Sequence, residues 1–154
     1  MKKIYPFLFI SFILFSCSKD AFKSYEHRIE GSWRLTDVDR RGFGGSISHL
    51  PFTDGEFTFN QGGTLIYTSN TGVVYQGSWD IDRRTVSNGC QTDDNGNQTC
   101  DDQLIRSLHV TAIDFTAGDV KSEHFEEIVF TGGNKFKAYI RNGLHTYLFH
   151  FRRN

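Results

Sequence analysis

From residue 32 onward, apolar and polar positions alternate at period two. Phe57 with Phe59, Leu65 with Tyr67, Tyr75 with Trp79 and Ile81, and Phe136 with Ala138 and Ile140 each fall on one side of an extended segment. These runs, rich in Val, Ile, Thr, Phe and Tyr, predict eight strands over about 32–41, 55–60, 63–69, 73–81, 103–116, 123–131, 134–141 and 144–152. Gln61-Gly62-Gly63, Asn70-Thr71-Gly72, Gly132-Gly133-Asn134 and Asn142-Gly143 separate them with residues that tolerate the positive φ of tight hairpins. The only prolines, Pro6 and Pro51, interrupt no strand. In the last strand Leu144 and Leu148 share one side and Tyr147, Phe149 and Phe151 the other, so that strand is expected to pack on both faces, for instance against an N-terminal helix as well as the interior. Phe22, Tyr25 and Ile29 recur at roughly helical spacing and predict that short helix within 20–30, behind a Ser or Asp cap.

Eight consecutive strands with short connections and no helical crossover predict an all-β, antiparallel up-and-down barrel, because closing a meander removes its edges. A two-sheet β-sandwich is the structural alternative. The connection 82–102 breaks the run of tight turns. Within it Asp94-Asn95-Gly96 suits a three-residue hairpin loop with Gly96 in the left-handed conformation. That loop pairs 93 with 97, and three further steps place Cys90 opposite Cys100.

The first residues have another character. Lys2 and Lys3 precede an apolar run, 4–15, that is too short to span a bilayer and reads as a signal peptide. The run ends in Leu14-Phe15-Ser16-Cys17, which resembles the bacterial lipobox, where cleavage precedes a cysteine that carries diacylglycerol. The expected organisation is a signal peptide over 1–16, a lipidated tether and short helix over 17–31, and the β domain over 32–154. With Cys17 acylated, Cys90 and Cys100 are the two remaining thiols, and export places them in an oxidising compartment where they are expected to form a disulfide. Ser18 occupies the position where an aspartate retains some lipoproteins in the inner membrane, so the outer membrane is the expected location, on its periplasmic face or at the cell surface. Lys19-Asp20 resembles a short tag that some Gram-negative lineages use for surface export.

Loss of Lys2 and Lys3 leaves 15 basic residues against 18 acidic ones, a formal charge of −3. Nucleic acid is therefore not an expected partner, since neutralising phosphates needs a basic face.

Gly31-Ser32-Trp33-Arg34-Leu35 at the start of the first strand resembles the Gly-x-Trp opening of the lipocalin and fatty-acid-binding superfamily. The short linker before it, Phe57-Thr58-Phe59 followed by a Gly-rich turn, and Gly77-Ser78-Trp79 resemble lipocalin-like domains of small Gram-negative lipoproteins. The resemblance implies that Trp33 plugs the closed end of the barrel beneath an arginine of the last strand, Arg152 or Arg153, with Arg152 the first choice. It also implies that first and last strands pair. Ligand binding is the family's usual activity, for which Leu35, Phe57, Phe59, Tyr75, Trp79 and Phe136 are the expected lining; the same residues could equally fill the barrel solid.

Other chemistry is thinly represented. Asp93, Asn95, Asn97, Thr99 and Asp101 alternate like calcium ligands, but Gln98 stands where the sharp-turn glycine belongs and Leu104 where the bidentate glutamate would be. Asn97-Gln98-Thr99 is a glycosylation sequon with little use in a bacterial lipoprotein. His27, His49, His109, His124, His145 and His150 show no local metal-ligand spacing, so no metal is expected. No nucleophile elbow or phosphate loop is present, and nothing in the sequence fixes two of Asp37, Asp39, Glu123, Glu126 and Glu127 at a catalytic separation. The expectation is a non-enzyme without cofactor: a lipid-anchored envelope protein that binds a small apolar or amphipathic ligand in its barrel. The alternative is a protein-interaction or inhibitor module presenting the hairpin around 90–100 from the 82–102 loop.

Overall fold

The computed structural model describes residues 24–154; the expected signal peptide and Cys17 lie outside the described residues. Ser24 caps a short helix, α1 (Tyr25–Ile29), whose chain then turns at once into the sheet. Nine antiparallel strands follow: β1 (Gly31–Gly42), β2 (Glu56–Asn60), β3 (Thr64–Thr68), β4 (Val74–Thr92), β5 (Gln98–Asp114), β6 (Asp119–Phe125), β7 (Glu127–Gly132), β8 (Lys135–Asn142) and β9 (His145–Arg153). The all-β, antiparallel expectation holds, and first and last strands pair, with Trp33 opposite Arg153 and Leu35 opposite Phe151.

The finer expectation needs correction. Hydrogen bonding runs in the order β6-β5-β4-β3-β2-β1-β9-β8-β7 and stops there, so the consecutive strands β6 and β7 are the two edges of an open sheet. This is neither a closed eight-stranded barrel nor the two sheets of a sandwich. The seam lies inside the segment expected to be one strand, 123–131. Lys121, Glu123 and Phe125 share the side that buries Phe125, whereas Ile128 and Phe130, of opposite parity, supply the apolar side of β7. One straight strand would turn one of these sets outward, so the chain breaks register at Glu126 and its two halves take different partners. Glu126 N–H donates across to Tyr139 O instead.

Inner-face side chains from all nine strands except β7's polar end meet in one aromatic core that includes Trp33, Phe57, Phe59, Tyr67, Phe125, Phe136, Phe149 and Phe151. Curling a single sheet round one core requires close backbone approach at its bends. Gly77, on the inner face between Tyr75 and Trp79, provides one: a Cβ there would sit 1.8 Å from Thr111 O. The two ends of the core are covered differently. At one, α1 brings Ile29 into the core and sets Tyr25 edge-on to Phe130, 5.2 Å between ring centres. At the other, the loop between β1 and β2 inserts Phe52 against Phe57 and Tyr67.

β9 is buried on both sides, as expected, since Leu148 is covered while Tyr147, Phe149 and Phe151 face the core. The cover over Leu148 is not α1, which sits on Trp33 and Phe130; its cross-strand neighbours are Asp39 and Tyr139, and Leu144 is exposed.

Candidate functional site

β4 and β5 do not end where the core ends. Beyond Ile81 and Leu108, their last core residues, they continue as a two-stranded arm, with Arg83 opposite Arg106 and Ser87 opposite Asp102. The segment 82–102, expected as a loop, is thus mostly ladder. From Thr85 to Leu104 the described side chains are exposed apart from half-buried Val86, so both faces of the arm meet solvent. A ribbon with no face to bury is marginal by itself. Two local devices hold this one. Cys90 and Cys100 stand directly opposite and are joined by a disulfide, in the register expected from the turn. At the tip Gly96 takes φ 84°, Asp93 N–H donates to Asn97 O, and the Asp93 carboxylate accepts from the backbone N–H of Asn95 and Asn97 and from the Asn97 amide. The Asn97 bonds come first among the causes that hold the Asp93 carboxyl below the usual carboxylate range. That carboxylate is occupied with its own turn. Thr99 lies farther along the ladder, opposite Gln91, so the alternating oxygens do not converge as a calcium loop would require.

The arm leaves the sheet beside α1. Arg83 reaches the Glu26 carboxylate at 3.3 Å, and the Arg106 guanidinium lies 3.9 Å from the centre of the Tyr25 ring. Between Thr85 and Gln103 the chain carries Asp93, Asp94, Asp101 and Asp102 and no lysine or arginine, so the arm is acidic beyond its basic root at Arg83 and Arg84.

On the outer side of the same region the ladder sets His109 opposite His124, with their Nδ1 atoms 3.2 Å apart. Desolvation, then the neighbouring His109, lowers the proton affinity of His124. Sequence spacing could not show this pair, because its members come from two strands joined by a turn. Asp37, Asp39 and His150 also gather on the outer side of β1 and β9, where His150 Nε2 lies 3.1 Å from Asp39 Oδ2. Glu127 and Glu126 both take Arg141 as partner, so these carboxylates serve as ion pairs across β7 and β8.

Glu123 points to the inner side of the edge strand β6, where burial pushes its carboxyl above the usual range against the one bond it accepts, from His124 N–H. An inward charge at an edge discourages another strand from adding there. Because its folded pKa is raised, Glu123 contributes stability only at low pH, and that contribution is lost as pH rises through the folded value. In chelator-treated protein, Glu123→Gln should therefore melt with wild type at about pH 4 and above it at about pH 7. Equal melting at both would mean a hydrated carboxyl.

The expected pocket residues are brought together, but as mutual contacts. Phe57 stacks with Phe59 at 6.1 Å and meets Phe151 at 5.4 Å; Phe136 stacks on Phe151 at 4.4 Å; Phe59 meets Trp79 at 5.6 Å; and Tyr75 meets Tyr67 at 5.3 Å. Leu35 is buried in the same cluster. Trp79 Nε1–H donates to Asn60 O. Trp33 is buried in the core beside α1, with its indole N–H donating to Ile29 O, and the arginine across its ring is Arg153 rather than Arg152. The register explains the correction: Tyr147, Phe149, Phe151 and residue 153 share the inner side, and Arg152 points out between Arg34 and Lys135. The Arg153 guanidinium lies 4.3 Å from the Trp33 ring and donates to Glu30 O and Arg28 O.

No protein-family model, curated protein or solved structure matches the chain.

Proposed function

We propose that this chain is an outer-membrane lipoprotein, anchored through Cys17, whose lipocalin-like domain is a solid pedestal that presents the arm to a protein partner. The observation that carries this reading is an arm exposed on both faces and stapled by Cys90–Cys100, standing on a core whose rings touch one another. Long projections on rigid scaffolds are where recognition residues concentrate. The acidic arm, with the carboxylates of Asp94 and Asp101 turned to solvent, selects a partner with a basic surface, and electrostatic attraction of that kind mainly sets encounter rate and specificity.

The test uses the full-length lipoprotein, cross-linked in intact envelopes, beside a variant with Asp94 and Asp101 changed to Asn, which leaves the bonds of Asp93 and Asp102 within the arm in place. Wild type should cross-link to a discrete partner, the variant should lose most of that product, and a disulfide-closed peptide spanning the arm should compete. Native mass spectrometry of the same preparation provides the opposite outcome. An apolar molecule released on denaturation, together with cross-linking indifferent to the arm, would overturn this reading in favour of a ligand carrier.

A further inference from the structure

His109 and His124 are the only described pair of imidazoles that face one another, and their arrangement goes beyond a chance contact. Both side chains are exposed on the outer side of β5 and β6, ring centres 4.0 Å apart, with their Nδ1 atoms 3.2 Å from each other. Asp82, on the neighbouring strand β4, places its carboxylate 3.4 Å from the opposite ring nitrogen of His109, Nε2. Asp80 stands directly opposite His109 in the ladder and adds a second carboxylate beside it.

We propose that His109 and His124 form a bidentate site for a divalent transition metal, Zn²⁺ or Cu²⁺, with each Nδ1 as a ligand and water completing the coordination. Zn–N bonds of about 2.0–2.1 Å at a tetrahedral angle hold two nitrogens about 3.3 Å apart, which the 3.2 Å separation already satisfies. Imidazole nitrogen suits these ions, and the aqueous outer face leaves the remaining positions open. Asp82 is the positioning residue. Its carboxylate beside Nε2 of His109 favours the tautomer that carries the proton on that nitrogen and leaves the Nδ1 lone pair free, the relation that carboxylates commonly hold to metal-bound histidines. The site is independent of the arm's partner and of whether the core holds a ligand.

The test is calorimetric titration of the full-length lipoprotein, purified in detergent without a polyhistidine tag and stripped with chelator, using ZnCl₂ and, separately, CuCl₂. One ion per chain is expected. His109→Ala and His124→Ala should each weaken binding at least about tenfold, Asp82→Asn about tenfold, and His49→Ala not at all. Electron paramagnetic resonance of the copper-loaded wild type should show two coupled nitrogens, a measurement that needs no variant. Absence of binding, or binding unchanged in both histidine variants, overturns the proposal and leaves two imidazoles sharing one proton.

Discussion

Phe57→Ala should lower the unfolding free energy by about 3–5 kcal/mol, the range for removing a fully buried aromatic ring. For a domain of this size that corresponds to a fall of roughly 10–20 °C in melting temperature. Phe57 has no exposed surface and touches four other rings: Phe52 at 5.2 Å, Phe59 at 6.1 Å, Tyr67 at 4.8 Å and Phe151 at 5.4 Å. Those neighbours come from the β1–β2 loop and from strands β2, β3 and β9. Collapse into the vacated space would therefore need several elements to move at once, and the cost should lie at the upper end of the range. Denaturant unfolding followed by near-ultraviolet circular dichroism measures it. A loss below about 1 kcal/mol would mean that the rings already have room to rearrange, as the lining of a calyx would.

The second large effect separates adjacent residues. Arg153→Ala should cost about 2–4 kcal/mol, because it removes a cation–π contact and two charge-assisted bonds to main-chain carbonyls. Arg28 O and Glu30 O flank the join between α1 and β1, so their loss should also loosen the helix. Arg152→Ala should change stability by less than about 0.5 kcal/mol, or raise it, since Arg152 is exposed and its direct neighbours across both ladders are Arg34 and Lys135. Thermal melts of the two variants side by side decide the matter, and equal losses would contradict the observed register.

Much of this architecture is legible in the residues. Alternation fixes which side of each strand is apolar, Gly96 and its Asp-Asn neighbours set the register of the arm, and that register alone brings Cys90 to Cys100. The same alternation, extended from Phe149 and Phe151, points to Arg153, whereas the end of the predicted strand points to Arg152, and parity decides which side chain faces the core. Parity also changes between Phe125 and Ile128, the local sign of the seam at Glu126. Two features escape a reading by apolar alternation. The exposed part of β4 and β5 lacks the apolar alternation that marks strands, because its ladder is held by a covalent staple and a turn rather than by burial. His109 meets His124 only through the particular register set by the turn between Asp114 and Asp119.

The chain's C-terminus lies beside its first strand, Asn154 N–H donating to Ser32 O, and the arm departs from the same neighbourhood, where Arg83 meets Glu26. On the proposed anchoring through Cys17, seven residues would lead from lipid to Ser24, a span of at most about 25 Å by chain length. The ten arm residues from Arg83 to Thr92 extend about 33 Å. On that proposed anchoring the arm would be longer than the tether, and from its root beside Glu26 it would come within reach of the headgroup plane of the leaflet that holds the lipid. A partner within that reach would be a neighbour in the same membrane, met by lateral diffusion in two dimensions rather than recruited from the surrounding fluid.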